Sequence, residues 1–131
     1  MTKEDKELLL RDLCARLPYG VKIRIEYPFL KEEEWHPEVL YGLDLQRLCI
    51  ANTSIRLEEI KFKPYLFPLS SMTDEQKVIY GDLCYKVLYN SKGLINSDVM
   101  EYVNWCYKNH IDINNLIPMG LANDATNKNI Y

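Results

Sequence analysis

Cys106, His110 and Asp112 carry the functional groups of a nucleophilic cysteine, its general base and an orienting carboxylate. Residues four positions apart on a helix share a face, so the thiol of Cys106 and the imidazole of His110 can meet. A reactive thiolate needs an electropositive setting or a helix N-terminus. Because Cys106 is predicted late in its helix, the helix dipole disfavours a thiolate there. We assign no catalytic residue and predict that His110 caps the helix end. A small enzyme that uses this pair is kept as an alternative.

The same two residues make a poor metal site, because zinc takes four ligands and the chain has only two histidines. The four cysteines at 14, 49, 84 and 106 form no CxxC pair, as zinc ribbons and redox sites require. The sequence also contains no Walker A, GxGxxG or GxSxG motif. We therefore expect no metal and no cofactor, and we interpret the cysteines as buried free thiols in a reducing compartment.

A second group of residues combines cations with aromatic rings. Lys61 and Lys63 precede a predicted helix N-terminus, where free N–H groups attract anions. Lys22 and Arg24 project from one face of a predicted strand. If the two segments are neighbours, the four cations could contact single-stranded nucleic acid. The alternative is that they are ordinary solvated positions. The predicted partner-binding residues are Lys22, Arg24, Trp35, Lys61, Lys63, Tyr65, Phe67, Ser70 and Ser71.

Ten tyrosines in 131 residues favour protein binding, because tyrosine brings a large contact area and a polar tip. Four of them, Tyr65, Tyr85, Tyr89 and Tyr107, are predicted to lie off the apolar core stripes. We predict a non-enzymatic interaction module that binds an unidentified protein or a second copy of itself. The alternative for these tyrosines is that they edge a small core, and the alternative for Trp35 is a lid over the core edge. Weak binding of single-stranded nucleic acid is the alternative function, since the net charge of −3 gives no general attraction to phosphates.

The elements that position these residues meet at residues 60–76, where a predicted strand ends and a predicted helix begins. Pro64 and Pro68 cannot donate ladder hydrogen bonds, so we expect regular strand pairing to fail between them. Thr73 and Gln76 have the spacing of a capping box, in which side chain and backbone bond reciprocally. The sequence therefore predicts a helix that starts just after Thr73.

The residues before this junction alternate between apolar and polar, and those after it have helical periodicity. We predict one α+β domain over residues 1–131, with a short antiparallel sheet of three to four strands packed by an N-terminal helix and two C-terminal helices. Connectors this short favour antiparallel pairing. The helices are predicted at 3–17, 74–89 and 97–109, and the strands at 20–27, 39–45, 48–51 and 55–62.

Three finer predictions follow from single residues or short segments. Asp12 is expected to face water on the first helix, and Cys14 to lie in the core. Gly81 inside the second helix costs stability and indicates a close packing partner. The polar segment 123–131 is expected to be a frayed tail.

Three stretches of the sequence resemble a family of small uncharacterised proteins from gut anaerobes, often found on prophages or other mobile elements. They are LLLRDLCARLPYGVK at 8–22, KPYLFPLSSMT at 63–73, and a tail motif of Trp105, His110, Asp112, Leu116-Ile117 and Gly120-Leu121-Ala122. The resemblance covers most of the chain except residues 28–37 and the last few. It implies one compact domain of mobile-element origin and no particular activity. Phe67 stands where we would expect an arginine, so any anion site there has lost its charge.

Composition excludes several classes of protein. Hydrophobic residues make up 47% and charged residues 27% of the chain, which is ordinary for a globular domain. No stretch reaches the roughly 20 apolar residues that cross a bilayer. The opening MTKEDKELLL is too acidic for a secretory signal. We therefore predict a cytoplasmic protein that does not bind membranes.

Overall fold

The computed structural model describes residues 2–51, 53–89 and 96–131, which form an α+β structure with three helices and a six-stranded mixed sheet. The predicted fold class is confirmed at this level. The helices are α1 (Lys3–Arg16), α2 (Asp74–Tyr89) and α3 (Asn96–Lys108). The strands are β1 (Lys22–Glu26), β2 (Pro37–Leu43), β3 (Arg47–Ile50), β4 (Thr53–Arg56), β5 (Lys61–Leu66) and β6 (Asn123–Asp124).

The strand order across the sheet is β4-β3-β2-β1-β5-β6. All neighbours are antiparallel except β5 and β6, which run parallel. The prediction of three to four antiparallel strands was too low in number and missed the parallel pair. A short 3-10 helix at Leu57–Glu59 divides β4 from β5, and β6 comes from the tail of the chain.

The core lies between α1 and one face of the sheet. Val21, just before β1, and Ile23 and Ile25 within it alternate with polar residues and point to this inner face. Leu9, Leu10 and Leu13 of α1 are buried and belong to the same core. The remaining core comes from the other strands, the 3-10 helix between β4 and β5, and the turns after α3, namely Leu40, Leu48, Ile50, Leu57, Phe62, Leu66, Leu116, Leu121 and Ala122.

Pro64 does not interrupt β5, contrary to the prediction from its missing N–H. It pairs with Ile23 of β1, and the strand continues to Leu66. Leu66 accepts a hydrogen bond from the N–H of Ala125, on the side of β5 away from β1. Alternate residues of a strand direct their amides to the same side, so an N–H at position 64 would also point away from β1. The proline therefore costs no bond to β1.

The two C-terminal helices pack against each other, and α3 also contacts α1. The predicted capping box at the start of α2 is confirmed: the N–H of Gln76 donates to Thr73 Oγ1 at 3.2 Å, and the N–H of Thr73 donates to Gln76 Oε1 at 3.0 Å. The hydroxyls of Tyr80 and Tyr102 lie 3.2 Å apart between the helices. Among the described residues, no helix has the length and apolarity that crossing a bilayer requires.

The segment 123–131 is an ordered part of the fold and not the frayed tail that its polar composition predicted. Its first two residues form β6 against Tyr65 and Leu66. Its last residue, Tyr131, accepts a hydrogen bond from the N–H of Lys22 at 2.9 Å and donates one to the carbonyl of Tyr65 at 2.7 Å. The hydroxyl thus bridges β1 and β5 next to the last of their ladder pairs. Long-range contacts of this kind leave no periodic pattern in a sequence.

Candidate functional site

The outer face of the sheet gathers the four cations predicted to bind a partner. Because β1 and β5 are neighbours, Arg24 lies opposite Lys63, and Lys61 lies opposite Glu26. Facing residues of an antiparallel pair share one face of the sheet. Lys22 joins the same face by the alternation of β1. The neighbouring strands that this surface requires are therefore present.

Two of the four cations have partners within the chain. Arg24 forms an ion pair with Glu26 at 2.9 Å, and its guanidinium lies 5.5 Å from the centre of the Trp35 ring. The ammonium of Lys22 donates to the carbonyl of Ile130 at 2.8 Å. Lys61 is exposed and Lys63 is half-buried. The basic character of this face thus comes mainly from the two lysines of β5.

The aromatic members of the predicted surface are largely covered. Tyr65 is only 7% exposed, so the prediction that it lies off the core was wrong. Phe67 is half-buried, with its ring centre 5.9 Å from that of Tyr131. Trp35 is also half-buried and donates to the carbonyl of Tyr27 at 3.3 Å, so it covers the end of β1. These rings therefore offer less surface to a partner than their sequence positions suggested.

The two serines of the predicted surface lie in a short 3-10 helix, Leu69–Ser71, before α2. Ser70 is exposed, and the hydroxyl of Ser71 donates to the carbonyl of Pro68 at 2.7 Å. Ser71 lines a small cavity of about 190 Å³ together with Phe67. The capping of α2 is provided by Thr73, so the serines are not its caps.

The geometry around Cys106 does not form a nucleophilic site. The thiol is fully buried, and burial raises its pKa to about 11, so it keeps its proton at neutral pH. His110 Nδ1 is buried and has no hydrogen-bond partner among the described residues. Both carboxylate oxygens of Asp112 accept backbone N–H bonds, from Leu116 and Ile117, at 2.8 Å. Asp112 therefore caps the following turn and does not orient the imidazole.

His110 has a structural role beside the tail. Its ring stacks on that of Tyr131, with centres 3.6 Å apart and an angle of 11° between the planes. Burial, reinforced by the charges of Arg16 and Lys22, lowers the pKa of His110 to about 4. Tyr131 is 42% exposed as a residue, but its hydroxyl is enclosed, and burial raises its pKa to about 12. The stacked pair therefore consists of a neutral imidazole and a neutral phenol.

A buried polar junction at the end of α1 was missed from the sequence. Asp12 and Arg16 are both fully buried and form an ion pair at 2.6 Å, although Asp12 was predicted to face water. Arg16 also donates to the carbonyl of Ile111 at 2.7 Å, and Asn114 donates to Asp12 at 2.7 Å. The guanidinium lies 4.7 Å from the centre of the Tyr107 ring. The sequence did carry one signal of this ion pair, because an acid and a base four residues apart on a helix can meet.

The prediction that the four cysteines are buried is confirmed for Cys106 alone. Cys14, which was expected in the core, is exposed on α1, and Cys49 is exposed on β3. Cys84 is half-buried and Cys106 is buried, and all four are free. Asp12 and Arg16 are the buried residues of α1 that the sequence analysis did not predict to face inward.

The outward side of α2 is apolar, and the sequence reasoning found only part of it. Of the sixteen residues of α2, only Leu83 is fully buried. We define the α2 outer face as Val78, Gly81, Tyr85, Leu88 and Tyr89. Its large side chains are 65–74% exposed. Tyr85 and Tyr89 were expected off the core stripe, and their exposure confirms this, with ring centres 4.8 Å apart. Leu88 was wrongly assigned to the inner stripe.

Gly81 lies in the middle of this face. A Cβ built on it would meet no heavy atom of the described residues within 4 Å. The close packing partner that a helix-interior glycine predicts is therefore not supplied by the described part of this chain. Polar residues flank the face, with Lys77 on one side and Asp82 on the other. The arrangement is an apolar stripe with a central gap and charged margins.

Comparison of the chain with protein-family models, curated protein sequences and solved structures finds no significant match.

Proposed function

We propose that this protein is a non-enzymatic protein-interaction module and that the α2 outer face is its contact surface. The observation that carries the proposal is the exposure of four large apolar side chains, at 65–74% each, on one side of one helix. A soluble monomer rarely leaves a contiguous apolar patch open unless the patch binds something. The two adjacent tyrosines also suit an interface, where aromatic residues are enriched.

The fold supports this proposal, because the core formed by the described residues includes no member of the α2 outer face. Leu83, the buried residue of α2, lies on the opposite side of the helix from Tyr85 and Val78, given 100° of rotation per residue. Selection for folding alone would place polar residues on the solvent side. A mobile-element origin, which the family resemblance implies, stays a prediction.

Position-specific photo-crosslinking tests the contact surface. Tyr85 is replaced by a photoreactive benzoylphenylalanine in cells that express the chain, and the cells are irradiated. We expect a discrete covalent adduct, because a bound partner holds its C–H groups against this side chain. The matched control carries the same group at Arg11, an exposed position in the middle of α1. No discrete adduct is expected there.

An adduct from position 85 with none from position 11 supports the proposal, whatever the identity of the captured chain. Equal adduct yields from the two positions would reflect random collisions. That result, or the lack of any adduct at 85, would contradict the α2 outer face as a contact surface.

A second candidate function is weak binding of single-stranded nucleic acid by the outer face of the sheet. The observation that favours it is the side-by-side placement of β1 and β5, which brings Lys22, Arg24, Lys61 and Lys63 onto one face. Against it, the chain itself occupies Lys22 and Arg24. The covered rings of Tyr65 and Phe67 also leave little surface on which a base could stack.

Retention on single-stranded DNA at graded salt tests this candidate. Phosphate contacts make retention fall with salt concentration. The double variant Lys61→Glu and Lys63→Glu removes the two least engaged cations, so we expect it to abolish any salt-dependent retention. Retention that survives this double variant would exclude the basic face as its cause.

A further inference from the structure

We infer that the occupant of the α2 outer face is a second copy of this chain, with the two α2 helices side by side, parallel and in register. The inference rests on the proposed function, because it names the partner of the same surface. Val78, Gly81, Tyr85 and Leu88 are spaced 3, 4 and 3 residues apart. This is the spacing of the a and d positions along a two-helix seam. In a parallel pair, each layer of the seam meets its own copy.

The central glycine fits this packing. Helical side chains lean toward the helix N-terminus, so the ring of Tyr85 extends over the turn that contains position 81. Gly81 has no side chain, and the space around its Cβ position is open to 4 Å among the described residues. The small layer at Gly81 can therefore receive the two Tyr85 rings of adjoining copies. Val78 and Leu88 form the next apolar layers of the seam, before Gly81 and after Tyr85.

The charges beside the seam favour the parallel arrangement over the antiparallel one. With Val78 and Gly81 at a and d, Lys77 occupies a g position and Asp82 an e position. In parallel pairs a g residue faces the e residue five positions later on the other helix. Lys77 of each copy then faces the partner's Asp82, which gives two attractive pairs, and it shares its charge with Asp74 of its own helix, 4.0 Å away. An antiparallel pair centred on Gly81 would instead bring the two Asp82 carboxylates together.

The area of the face is also of the right order for a dimer. Tyr85 and Tyr89 are 65% and 69% exposed, and a tyrosine can bury 150–250 Å², so the two rings alone offer on the order of 200–300 Å². Val78 and Leu88, at 65% and 74% exposure, extend this area along the seam. A standard stable interface takes about 800 Å² from each partner, so these four side chains supply part of that area and the charged margins must supply the rest.

Sedimentation velocity over a dilution series tests the inference. We expect the chain to shift from monomer to dimer as its concentration rises. Leu88→Asp should leave the chain monomeric at every concentration, since it places a charge in the seam. Leu88 is 74% exposed, so the variant keeps its fold, which far-UV circular dichroism checks. Arg11→Asp, an exposed change on α1, is the control and should dimerise like the parent.

A charge exchange tests the register and direction of the helices. Lys77→Glu alone and Asp82→Lys alone should each weaken dimerisation about five-fold, as expected for two exposed ion pairs. The double variant that carries both changes restores two opposite-charge pairs, and its dissociation constant should return to within about two-fold of the parent. Recovery of this kind requires the parallel arrangement, so additive losses in the double variant would overturn it.

The failure of this inference is distinguishable from the failure of the proposed function. A parent chain that stays monomeric at all concentrations, with an adduct at position 85 that contains a different protein, overturns the second copy as occupant and leaves the contact surface in place. A dimer that Leu88→Asp does not disrupt would also overturn the inference, because it would form through another surface. The absence of any adduct at position 85 would overturn both.

Discussion

The polar junction at the end of α1 and the α2 outer face are opposites. At the junction, the charged residues Asp12 and Arg16 are buried, and Ile111 and Asn114 provide hydrogen-bond partners. On α2, apolar residues such as Tyr85 and Leu88 are exposed and lie away from the core. Both regions depart from the ordinary rule of polar outside and apolar inside.

The difference lies in whether the departure is compensated within the chain. A buried ion pair with additional hydrogen bonds holds α1 to the segment after α3, so its purpose is structural, and Arg16 Nη1 is left without a partner among the described residues. In residues 2–51, 53–89 and 96–131, the exposed side chains of the α2 outer face have no comparable role in the core. An uncompensated apolar surface is the feature that calls for a partner. We therefore expect changes at the junction to affect folding, and changes on α2 to affect association.

The largest effect is expected at the junction. Replacing Asp12 by Ala leaves the Arg16 guanidinium buried without its counter-charge, which should lower the free energy of unfolding by about 3–5 kcal/mol. Urea denaturation monitored by tryptophan fluorescence measures this. The double variant Asp12→Leu and Arg16→Met removes both charges and should cost less than the single change. A loss below about 1 kcal/mol for Asp12→Ala would mean that the pair does not hold the junction.

The next effect concerns the tail, which closes the sheet beside the junction. Tyr131→Phe removes a hydroxyl that bonds the N–H of Lys22 and the carbonyl of Tyr65. Leaving these backbone groups without their partner should cost about 2 kcal/mol. The same denaturation experiment tests it, with Tyr41→Phe as the control because Tyr41 is 67% exposed on β2. Equal stability of the two variants would contradict the bridging role of Tyr131.

The third effect is a dependence of stability on pH through His110. Its folded pKa of about 4 lies below the ordinary value of 6.5, so the unfolded chain binds the proton more readily. His110 therefore contributes its full stability above pH 6.5, and this contribution is lost as the pH falls toward 4. The shift corresponds to roughly 3 kcal/mol at most, and partial exposure reduces the expected loss to about 1–2 kcal/mol.

Denaturation curves recorded between pH 7 and pH 4 measure this dependence. In His110→Gln the decline over this range should become smaller by that amount. An identical decline in the parent and in His110→Gln would show that the stacked imidazole does not carry the effect.

The smallest effect on the free energy of unfolding is expected on α2, where the substitution should stabilise the chain. Gly81→Ala should raise the free energy of unfolding of the dilute chain by about 0.5–1 kcal/mol, because alanine favours a helix and the added Cβ meets no described atom. Gly20→Ala is the contrasting control, since its φ of 70° is unfavourable for alanine and the change should destabilise. A loss of stability in dilute Gly81→Ala would mean that position 81 is packed within the chain.

Local signals predicted much of this structure. The Thr73 and Gln76 pair located the start of α2, because a capping box depends only on residues three positions apart. The alternation along β1 identified its buried side for the same reason. The prediction that failed for Leu88 concerned a helix with apolar residues on two sides, where periodicity alone does not tell which side faces the core.

The features that the sequence did not reveal depend on contacts between distant residues. Asp12 is buried because Asn114, about a hundred positions later in the chain, bonds its carboxylate. Its ion-pair partner Arg16 bonds the equally distant Ile111. The tail is ordered because Tyr131 reaches β1 and β5. Whether Lys22 is free or engaged likewise depends on Ile130. Composition and spacing carry no record of such pairings.

The most direct test of the contact surface is oxidative footprinting of the exposed tyrosines in cells that express the chain, compared with the dilute purified chain. Tyr85 and Tyr89 lie on the α2 outer face, and Tyr41, similarly exposed on β2, is the internal reference. We expect all three to be oxidised at similar rates in the dilute chain, and only Tyr85 and Tyr89 to be protected in cells. Oxidation of Tyr85 and Tyr89 in cells at the same rate as Tyr41 would contradict a partner on this face.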